Sequence, residues 1–461
     1  MPLLSHREMK KYLLIILALS IATHFAFFGH PNETVFDEVH FGKFVSGYYT
    51  GEYYFDIHPP LGKLMIAGFA KLFDFQPEYS FVNIGDKFPD KKYMALRFLP
   101  ALAGTLLPLV IFLLILELGM SRMAAFTGAL LVVFDNALLT QSRLILLDPF
   151  LLLFGFTSLL FYFGYRRQPH PRHSHILENV RMSWDWNWNL FLMAIFSGLA
   201  ISIKWTGLGF IALPILIEAV ETLKTSETSI KLTIVSFMEV LRISSFFFIS
   251  LAIYFSIFAL HFALLPNLGS GDAFMKPNFR ENNIVKNILD LNVEMYRSNQ
   301  RLTAIHPYSS QWYTWPLMAR PIFYWIKDNA RIYFFGNPVI WWLSTVAVIY
   351  FMINFFRNIK NHTYGLLSIG YWLNLLPFIG VKRVMFLYHY LTALVFAIII
   401  LCYLVDKNPF DPLRARKNSR KIFTGIVIGA IAAFLFFAPL SYGLPLSQKA
   451  YNARVWFASW R

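Results

Sequence analysis

The stretch RFLPALAGTLLPLVIFLLILE, residues 97–117, carries charge only at its first and last positions and is otherwise almost entirely apolar. A helix of about 20 apolar residues is long enough to cross the roughly 30 Å hydrocarbon core of a bilayer. Runs of this kind recur along the chain, and the pattern predicts a polytopic helical membrane protein with about eleven spans. The predicted spans are residues 12–29, 97–117, 122–140, 149–165, 190–204, 206–221, 233–263, 338–356, 364–380, 386–405 and 423–440.

The composition excludes an ordinary soluble domain. Hydrophobic residues make up 57% of the 461 residues and charged residues only 15%, whereas soluble domains carry about 25% charged residues. The net charge of +15 does not predict nucleic-acid binding, because the basic residues cluster in short loops between the spans. The single cysteine, Cys402, excludes an internal disulfide and a cysteine-based metal cluster. We therefore expect one integral-membrane, all-α domain over residues 1–461.

The basic loops predict how the chain crosses the membrane. Lysine and arginine concentrate in the N-terminal segment and in the loops 166–189 and 406–422. Four predicted spans separate the N-terminal segment from loop 166–189, and six separate that loop from loop 406–422, so alternating crossings put all three on one side, which the positive-inside rule assigns to the cytoplasm. We expect a multi-pass protein of the plasma membrane in a prokaryote, or of the endoplasmic reticulum in a eukaryote. The external segments are then residues 30–96, 264–337 and 441–461.

Segment 30–96 places acidic and histidine side chains directly beside a predicted span. Asp37 and Glu38 follow the first span, and Asp56 and His58 precede a Pro-Pro pair. Carboxylates near hydrocarbon are costly to desolvate, so they need a partner or a function. Two interpretations stay open. Such a carboxylate can take a proton from an attacking hydroxyl while a lipid-linked leaving group stays in the bilayer, or the acids pair with nearby basic residues and fix the loop.

The two longer external segments also predict local structure. Residues 61–73 place apolar side chains at helical spacing, which favours an interfacial helix along the membrane. An amphipathic helix packed on protein fits the pattern equally well. Lys63 and Lys71 could reach lipid headgroups from this helix. Segment 264–337 is rich in Trp, Tyr, Pro and Asn, and we expect it to pack on the mouth of the bundle as short helices and loops.

Seven motifs in order give the chain a family resemblance. They are FDEVHFGKF (36–44), YYFDIHPPLGKL (53–64), YMALRFLPALAGTL (93–106), LTQSRLILLD (139–148), SIKWTGLGF (202–210), HFALLPNLGSGDAFM (261–275) and RVMFLYHYLTAL (383–394). Together they resemble the protein O-mannosyltransferase family, membrane glycosyltransferases of the GT-C class. The stretch IHPYSSQWYTWPLMARPIFYW (305–325) is similar to bacterial-type members. Eukaryotic members carry a β-trefoil MIR domain in this loop, for which about 70 residues leave no room.

The resemblance implies a reaction and a catalytic base. Family members transfer mannose from dolichyl or polyprenyl phosphate mannose to Ser or Thr hydroxyls of proteins, inverting the anomeric carbon. Asp37 matches the first acid of the family's FDE motif, the proposed base. Glu38 then orients loops or the acceptor. A single inverting displacement needs no carboxylate nucleophile, in contrast to a retaining glycosidase.

The donor is anionic, so cations should face its phosphate. Arg97, Arg143, Lys204 and Arg383 match family motifs near the outer ends of spans; snorkelling or pairing with an acid is the alternative for each. Asp148 is expected to cap the helix that begins at Pro149, with Arg143 as a candidate partner. The further candidates for the donor phosphate or sugar are Asp56, His58, Lys63, Tyr388 and His389.

The acceptor side is predicted from the second external segment. Asp272 lies on a Gly-rich turn, where stabilising the turn is the commoner role. His306, Tyr308, Trp312 and Trp315 form an aromatic patch that suits sugar or peptide packing, although interfacial aromatic belts look alike.

Other functions remain as alternatives. Lys and Arg among the same motifs can neutralise a phosphate unaided, so we expect no obligatory divalent metal or other cofactor. A GT-C transferase of another lipid-linked sugar to a lipid or glycan acceptor keeps the same site. A transporter of lipid-linked sugars fits less well, because no internal repeat is visible and the acids gather at one face instead of the midplane. The sequence does not predict an oligomeric state.

Overall fold

The computed structural model describes residues 6–168, 186–226, 230–281, 283–301, 306–358, 361–407 and 412–461. Most of the basic loop 166–189 thus lies outside the described residues. Within them, the α-helices are α1 His6–Phe25, α2 Glu38–Thr50, α3 Leu61–Lys71, α4 Tyr93–Glu117, α5 Arg122–Val133, α6 Asn136–Ser142, α7 Asp148–Arg166, α8 Trp188–Ile201, α9 Leu208–Ser226, α10 Ile230–Leu264, α11 Ile284–Arg301, α12 Pro338–Ile353, α13 His362–Leu373, α14 Leu391–Lys407, α15 Pro412–Tyr442 and α16 Gln448–Asn452.

Each of the eleven predicted spans overlaps one of these helices. In the described part of the chain, six helical stretches are long and apolar enough to cross a membrane, or seven if α5 and α6 form one broken span. The helices α8 and α12 are apolar but shorter. The protein is therefore a multi-pass helical membrane protein, and the number eleven stays a prediction.

The break between α5 and α6 is stabilised by Asp135. The two helices meet at an angle of 57°. Asp135 Oδ1 accepts hydrogen bonds from the backbone N–H groups of Ala137 and Leu138, at 3.1 and 2.9 Å, which caps the otherwise unpaired first turn of α6. Its Oδ2 accepts from the Asn337 backbone N–H and the Trp341 indole, at 3.1 and 2.8 Å. The acid thus ties the broken span to the start of α12.

A two-stranded antiparallel sheet corrects the all-α prediction. Strands β1 Ile322–Lys327 and β2 Ala330–Phe334 form a hairpin inside segment 264–337, where only helices and loops were expected. Phe323 and Tyr333 stack across it with ring centroids 4.2 Å apart. Aromatic cross-strand pairs stabilise such a hairpin. The predicted aromatic patch of His306, Tyr308, Trp312 and Trp315 precedes both strands.

The helix α3 packs on protein along one face. Lys63, Ile66 and Ala70 are at most 1% exposed, and α3 contacts α2 and α4. Leu72 and Phe73, directly after the helix, are 78% and 55% exposed. Since Lys63 is buried, it does not reach lipid headgroups, which corrects that expectation. An interfacial position of α3 stays a prediction.

Candidate active site

Two cavities lie side by side and share part of one wall. The first, here called the apolar cavity, has a volume of about 400 Å³. The second, the open groove, has a volume of about 980 Å³. Ile57, His58, Arg383 and Tyr388 line both. A molecule that reaches from one cavity into the other must pass these side chains.

The apolar cavity combines a hydrophobic lining with a compact polar cluster. Its hydrophobic lining includes Leu151, Leu208, Ala212, Leu373, Val381 and Leu391. Its polar lining includes Asp148, Lys204, Arg383 and His389, together with His58 of the shared wall. Ligand pockets of this type hold an apolar group and orient it through a few polar contacts.

Lys204 and Asp148 form the first ion pair of the cluster. Lys204 Nζ lies 2.8 Å from Asp148 Oδ1, and it lies 5.5 Å from the centre of the Tyr388 ring. Asp148 Oδ2 accepts a 2.7 Å hydrogen bond from Gln141 Nε2, and Gln141 Oε1 accepts one of 2.7 Å from the Tyr324 hydroxyl. Asp148 is therefore held in a fixed position beside the cavity.

The position of Asp148 corrects the sequence prediction. Asp148 is the first residue of α7 and pairs with Lys204, not with Arg143. The sequence did not predict that Asp148 lines the cavity or that Gln141 holds it there. The available signal was the acid itself, since a carboxylate at the start of an apolar span needs a basic partner.

Arg383 and His389 form the second part of the cluster. The Arg383 guanidinium lies 3.2 Å from His389 Nε2. His389 stacks on the buried Trp315 ring, with centroids 5.7 Å apart. The structure thus brings the predicted donor residues Lys204, Arg383, Tyr388 and His389 together. Trp315 was expected on the acceptor side, but its ring packs against His389 of this cluster.

Asp37 lies on the wall of the open groove, directly before α2. Its carboxylate makes no capping bond to that helix, so it stays available to a ligand. The preceding residue, Phe36, has a φ of 48° and stacks on Tyr324 at 3.9 Å. This contact connects the Asp37 turn to the Tyr324–Gln141–Asp148 hydrogen bonds.

The surroundings of Asp37 make it a candidate proton acceptor near neutral pH. Burial raises the pKa of Asp37 from 3.8 to about 7; the charges of Lys204 and Arg383 lower it, and those of Asp148 and Asp56 raise it. An acid–base catalyst works best with a pKa close to the operating pH. Raised carboxyl pKa values beside a cavity are typical of functional sites.

Glu38, next to Asp37, has a structural partner. Glu38 and Arg97 are fully buried, and the guanidinium Nε and Nη2 lie 2.7 and 2.6 Å from the two carboxylate oxygens. Glu38 also accepts from the backbone N–H groups of Val35 and Ile145. Glu38 therefore fixes the Asp37 turn, as one reading of the sequence predicted. Arg97 lines neither cavity, so its predicted phosphate role is not supported.

Arg143 is occupied elsewhere as well. It donates to the backbone carbonyls of His24, Ala26 and Phe27 at the end of α1, and its guanidinium lies 4.6 Å from the Tyr442 ring centre. These bonds use three of its five N–H donors, and Arg143 lines neither cavity. Its predicted phosphate role is corrected to a structural one.

Asp56, His58 and Lys63 form a linked group at the shared wall. Lys63 forms an ion pair with Asp56 and donates to the His58 carbonyl at 2.8 Å. Burial, followed by the charges of Lys204 and Arg383, lowers the pKa of His58 well below its usual value. His58 is thus neutral at physiological pH and offers one N–H donor and one acceptor. Lys63 is 1% exposed and holds Asp56 in place instead of meeting a ligand directly.

The predicted acceptor residues are only partly brought together. His306 lines the open groove. Asp272 pairs with Arg280 at 2.9 Å and accepts from the Gly269 N–H at 2.8 Å, which is the turn role. The ring centroid of Tyr308 lies 5.7 Å from that of Phe323 in the hairpin, and that of Trp312 lies 5.8 Å from that of Tyr313. In the described residues neither Tyr308 nor Trp312 belongs to the groove lining.

The groove also contains residues that the sequence reasoning missed. Glu294, Ser298 and Arg301 of α11 line it. Phenylalanines from four separate segments give it an apolar surface: Phe41, Phe44, Phe55, Phe274 and Phe386. Single phenylalanines in a chain with 48 of them carry no distinguishing signal. Among the described residues, no group of three or more His, Cys, Asp or Glu side chains could hold a metal ion.

Comparison with known proteins gives the family context. Residues 14–266 match the family described as dolichyl-phosphate-mannose-protein mannosyltransferase, and residues 284–460 match the C-terminal four-span region of protein O-mannosyltransferases. Dolichyl-phosphate-mannose–protein mannosyltransferase 4 of Schizosaccharomyces pombe is 36% identical over 283 residues, 60% of this chain and 35% of that protein. Protein O-mannosyl-transferase 2 of Danio rerio is 33% identical over 62% of this chain and 36% of that protein. The chain spans about a third of the length of these relatives.

Solved structures show the same fold. One chain of the Saccharomyces cerevisiae protein O-mannosyltransferase Pmt1-Pmt2 complex, bound to the sugar donor, superposes with a TM-score of 0.88 at 19% identity, covering 98% of this chain and 93% of that one. ArnT from Cupriavidus metallidurans, bound to undecaprenyl phosphate, gives 0.56 at 14% identity, covering 94% and 77%. At these identities the likeness concerns the fold alone, which confirms the predicted GT-C architecture at that level.

Proposed function

Since the chain belongs to the dolichyl-phosphate-mannose-protein mannosyltransferase family, as its motifs predicted, we propose that it transfers mannose from a polyprenyl or dolichyl phosphate carrier to Ser or Thr hydroxyls of proteins. The observation that carries this proposal is the junction of the two cavities. Lys204 and Arg383 line the apolar cavity, Asp37 lines the open groove, and Arg383 and Tyr388 belong to both. This arrangement suits a lipid-linked donor on one side and a hydroxyl acceptor on the other.

The apolar cavity suits the phosphate end of the donor and the first part of its lipid chain. Arg383 and Lys204 supply positive charge for the phosphate, and the neutral His58 can add a hydrogen bond. The hydrophobic lining then contacts the isoprenoid carbons, which excludes water from the phosphate. The sugar would lie at the shared wall, within reach of the groove.

The reaction is a single in-line displacement with balanced charges. The acceptor oxygen forms a bond to the anomeric carbon while the bond from that carbon to the phosphate oxygen breaks, and its electron pair passes to the phosphate. Asp37 takes the hydroxyl proton and becomes neutral as the phosphate gains a negative charge. Lys204 and Arg383 stabilise that developing charge. Attack opposite the leaving group inverts the anomeric carbon.

The protein is an integral membrane protein, and we place its active site on the face opposite the cytoplasm. The Asp37 turn, the segment between α10 and α12 and the C-terminal segment all belong to the predicted external face. Asp37 and Asp56 of the first, together with Phe274 and His306 of the second, line the open groove. A protein acceptor would approach from this side.

Transfer from a defined donor tests the proposal directly. Purified protein in lipid nanodiscs is incubated with radiolabelled polyprenyl phosphate mannose and a Ser/Thr-rich peptide, and the labelled peptide is counted. We expect transfer by the native protein, and a loss of about 10²- to 10⁴-fold in Asp37→Asn, the range of a general base. Asp74→Asn is the matched control, because Asp74 is 78% exposed and pairs with Lys92 outside the cavities. Native-level turnover in Asp37→Asn would remove Asp37 as the base, and hydrolysis or transfer to lipid alone would contradict the acceptor class.

A further inference from the structure

Helix α11 (Ile284–Arg301) separates the two cavities and carries three distinct faces. Ile288, Leu291 and Met295 are at most 3% exposed and pack with Phe258 of α10 in one hydrophobic cluster. This face attaches α11 to the bundle. The other two faces are exposed and differ sharply in polarity.

The second face is an apolar stripe that no described residue covers. Val285, Leu289, Val293 and Tyr296 are 55%, 53%, 46% and 59% exposed. At about 100° per residue they fall within roughly 80° of the helix circumference. A contiguous exposed apolar stripe marks contact with a partner or with a membrane.

The third face is polar and faces the open groove. Glu294, Ser298 and Arg301 line the groove, and Arg297 is 51% exposed. At the end of the apolar stripe, Tyr296 lines the apolar cavity together with the neighbouring amides Asn299 and Gln300. The helix therefore turns its apolar side towards the candidate donor site and its polar side towards the candidate acceptor site.

The depth of α11 beside α10 identifies what covers the apolar stripe. From Ile243 to Leu264, α10 contains no Asp, Glu, Lys or Arg, a length of about 33 Å at 1.5 Å per residue, close to the roughly 30 Å of hydrocarbon. The Tyr254 hydroxyl of α10 donates to Asn292 Oδ1 of α11 at 2.5 Å. Tyr254 lies about 15 Å before Leu264 along the helix axis. The contact is thus well inside the apolar stretch of α10.

The surface of α10 is itself apolar and largely exposed. Leu251, Leu260 and Leu264 are 47%, 46% and 41% exposed, on a helix whose apolar window is only 28% buried. A helix attached at this depth lies beside lipid tails, where a polar face would be costly unless it is turned to protein or water. The polar face of α11 meets that condition through the open groove.

We propose that the apolar stripe of α11 is embedded in the hydrocarbon of the leaflet on the active-site side, where it forms the surface along which the donor's lipid chain enters the apolar cavity. The entry role rests on the proposed function, whereas the membrane contact does not. α11 then works as a partition: lipid reaches the apolar cavity on one side and water reaches the open groove on the other. The occupant of the stripe is lipid hydrocarbon and not a second protein chain.

Site-directed fluorescence quenching tests the membrane contact without any activity measurement. Cys402 is buried and 0% exposed, so a cysteine introduced at the surface can be labelled selectively. An environment-sensitive fluorophore is placed in Val293→Cys or Leu289→Cys of the full chain in nanodiscs, with Arg297→Cys as the control on the polar face. Nitroxide-labelled lipid and aqueous iodide serve as the two quenchers.

We expect lipid nitroxide to quench positions 289 and 293 several-fold more strongly than iodide does, and the reverse order at Arg297→Cys. Equal ratios at all positions, or iodide dominance at 289 and 293, would overturn the proposal. Protection of positions 289 and 293 from both quenchers would show that a protein partner covers the stripe, which also overturns it. Two labelled positions guard against a single variant that fails to fold.

The entry role has a separate readout. The double variant Leu289→Asp/Val293→Asp should raise the KM for a long-chain polyprenyl phosphate mannose several-fold while it leaves the KM for a donor with a very short prenyl chain unchanged. An equal change for both donors would contradict the entry surface. If the native protein transfers no mannose at all, the proposed function fails and the quenching result still decides the membrane contact.

Discussion

At the scale of single residues, the charge balance around Asp37 predicts the pH dependence of transfer. Asp37 must be ionised to accept a proton, and its pKa lies near 7. We expect kcat/KM to fall about tenfold per pH unit below that value and to level off above it. Lys204 lowers this pKa and Asp148 raises it. Lys204→Met should therefore move the acidic limb to higher pH, and Asp148→Asn should move it to lower pH.

The two neighbours give an internal control, because their removal should shift the profile in opposite directions. Both variants are expected to be slower than the native protein, since both lie beside the candidate phosphate site. If both variants lose rate but the pH profile does not shift, Lys204 and Asp148 contribute to donor binding and not to the pKa of Asp37. A shift in the same direction would contradict the electrostatic account of the Asp37 pKa. The measurement is the pH profile of kcat/KM with the donor varied.

Arg383 and Arg97 both match family motifs near span ends, but their replacement should have different effects. Arg383 lines both cavities, so Arg383→Ala should raise the donor KM about 10- to 100-fold, the loss of a charged hydrogen bond, and leave the peptide KM unchanged. Arg97 is fully buried against Glu38, so Arg97→Ala should lower the free energy of unfolding by about 3–5 kcal/mol. Donor kinetics and thermal unfolding separate the two, and an unfolding loss in Arg383→Ala larger than in Arg97→Ala would refute the assignment.

This contrast shows how far the sequence can identify a site residue by residue. The motifs place Arg97, Arg143, Lys204 and Arg383 in equivalent contexts near span ends. Only the folded contacts separate the pair that lines a cavity from the pair that binds backbone and Glu38. Asp148 and Gln141 were missed for a related reason, because their role depends on meeting Lys204 and Tyr324 across the bundle.

At the scale of elements, hydrophobic patterning predicted the helices well and the connecting segments poorly. Apolar length has a direct physical meaning in a bilayer, so each predicted span overlaps a helix. The hairpin β1–β2 was missed, because its aromatic and β-branched residues lie between aromatic loops and show no clean alternation. The 57° break after α5 was missed as well, since apolar length does not report a bend.

The break after α5 leads to a stability prediction. Asp135→Ala removes the cap of α6 and also leaves the Trp341 indole and the Asn337 N–H unpaired. A lost cap costs about 0.5–2 kcal/mol, and each buried unpaired group adds about 1–3 kcal/mol. Ser121→Ala is the control, because Ser121 only caps α5 through the Ala124 N–H at 3.2 Å. A thermal unfolding shift in Asp135→Ala no larger than in Ser121→Ala would contradict the tie to α12.

At the scale of the whole molecule, the proposed function depends on the junction between two cavities of different polarity. The apolar cavity and the open groove meet at His58, Arg383 and Tyr388. His58 is separated from Arg383 and Tyr388 by more than 320 positions in a chain of 461 residues. Sequence reasoning found most members of the junction from the family motifs, but their division between two cavities follows only from the packing of the helices.

The number of spans decides whether the two ends of the chain lie on the same side of the membrane, and the relative position of the ends can be measured. An odd number of crossings, such as the predicted eleven, puts the N-terminus and the C-terminal segment on opposite faces of the membrane. The six apolar stretches counted alone would put them on the same face.

Lys10 and Lys449 are exposed and lie near the two ends. Because Cys402 is buried, Lys10→Cys and Lys449→Cys can each be labelled selectively with an impermeant maleimide in sealed vesicles. We expect labelling of only one of the two from outside, with the other labelled after the vesicles are opened. Glu78→Cys, in the exposed loop after α3, should label from the same side as Lys449→Cys, because both segments belong to the predicted active-site face. Labelling of Lys10→Cys and Lys449→Cys from the same side would refute the odd count. Labelling of Glu78→Cys from the same side as Lys10→Cys would refute the placement of Asp37 opposite the basic N-terminal segment.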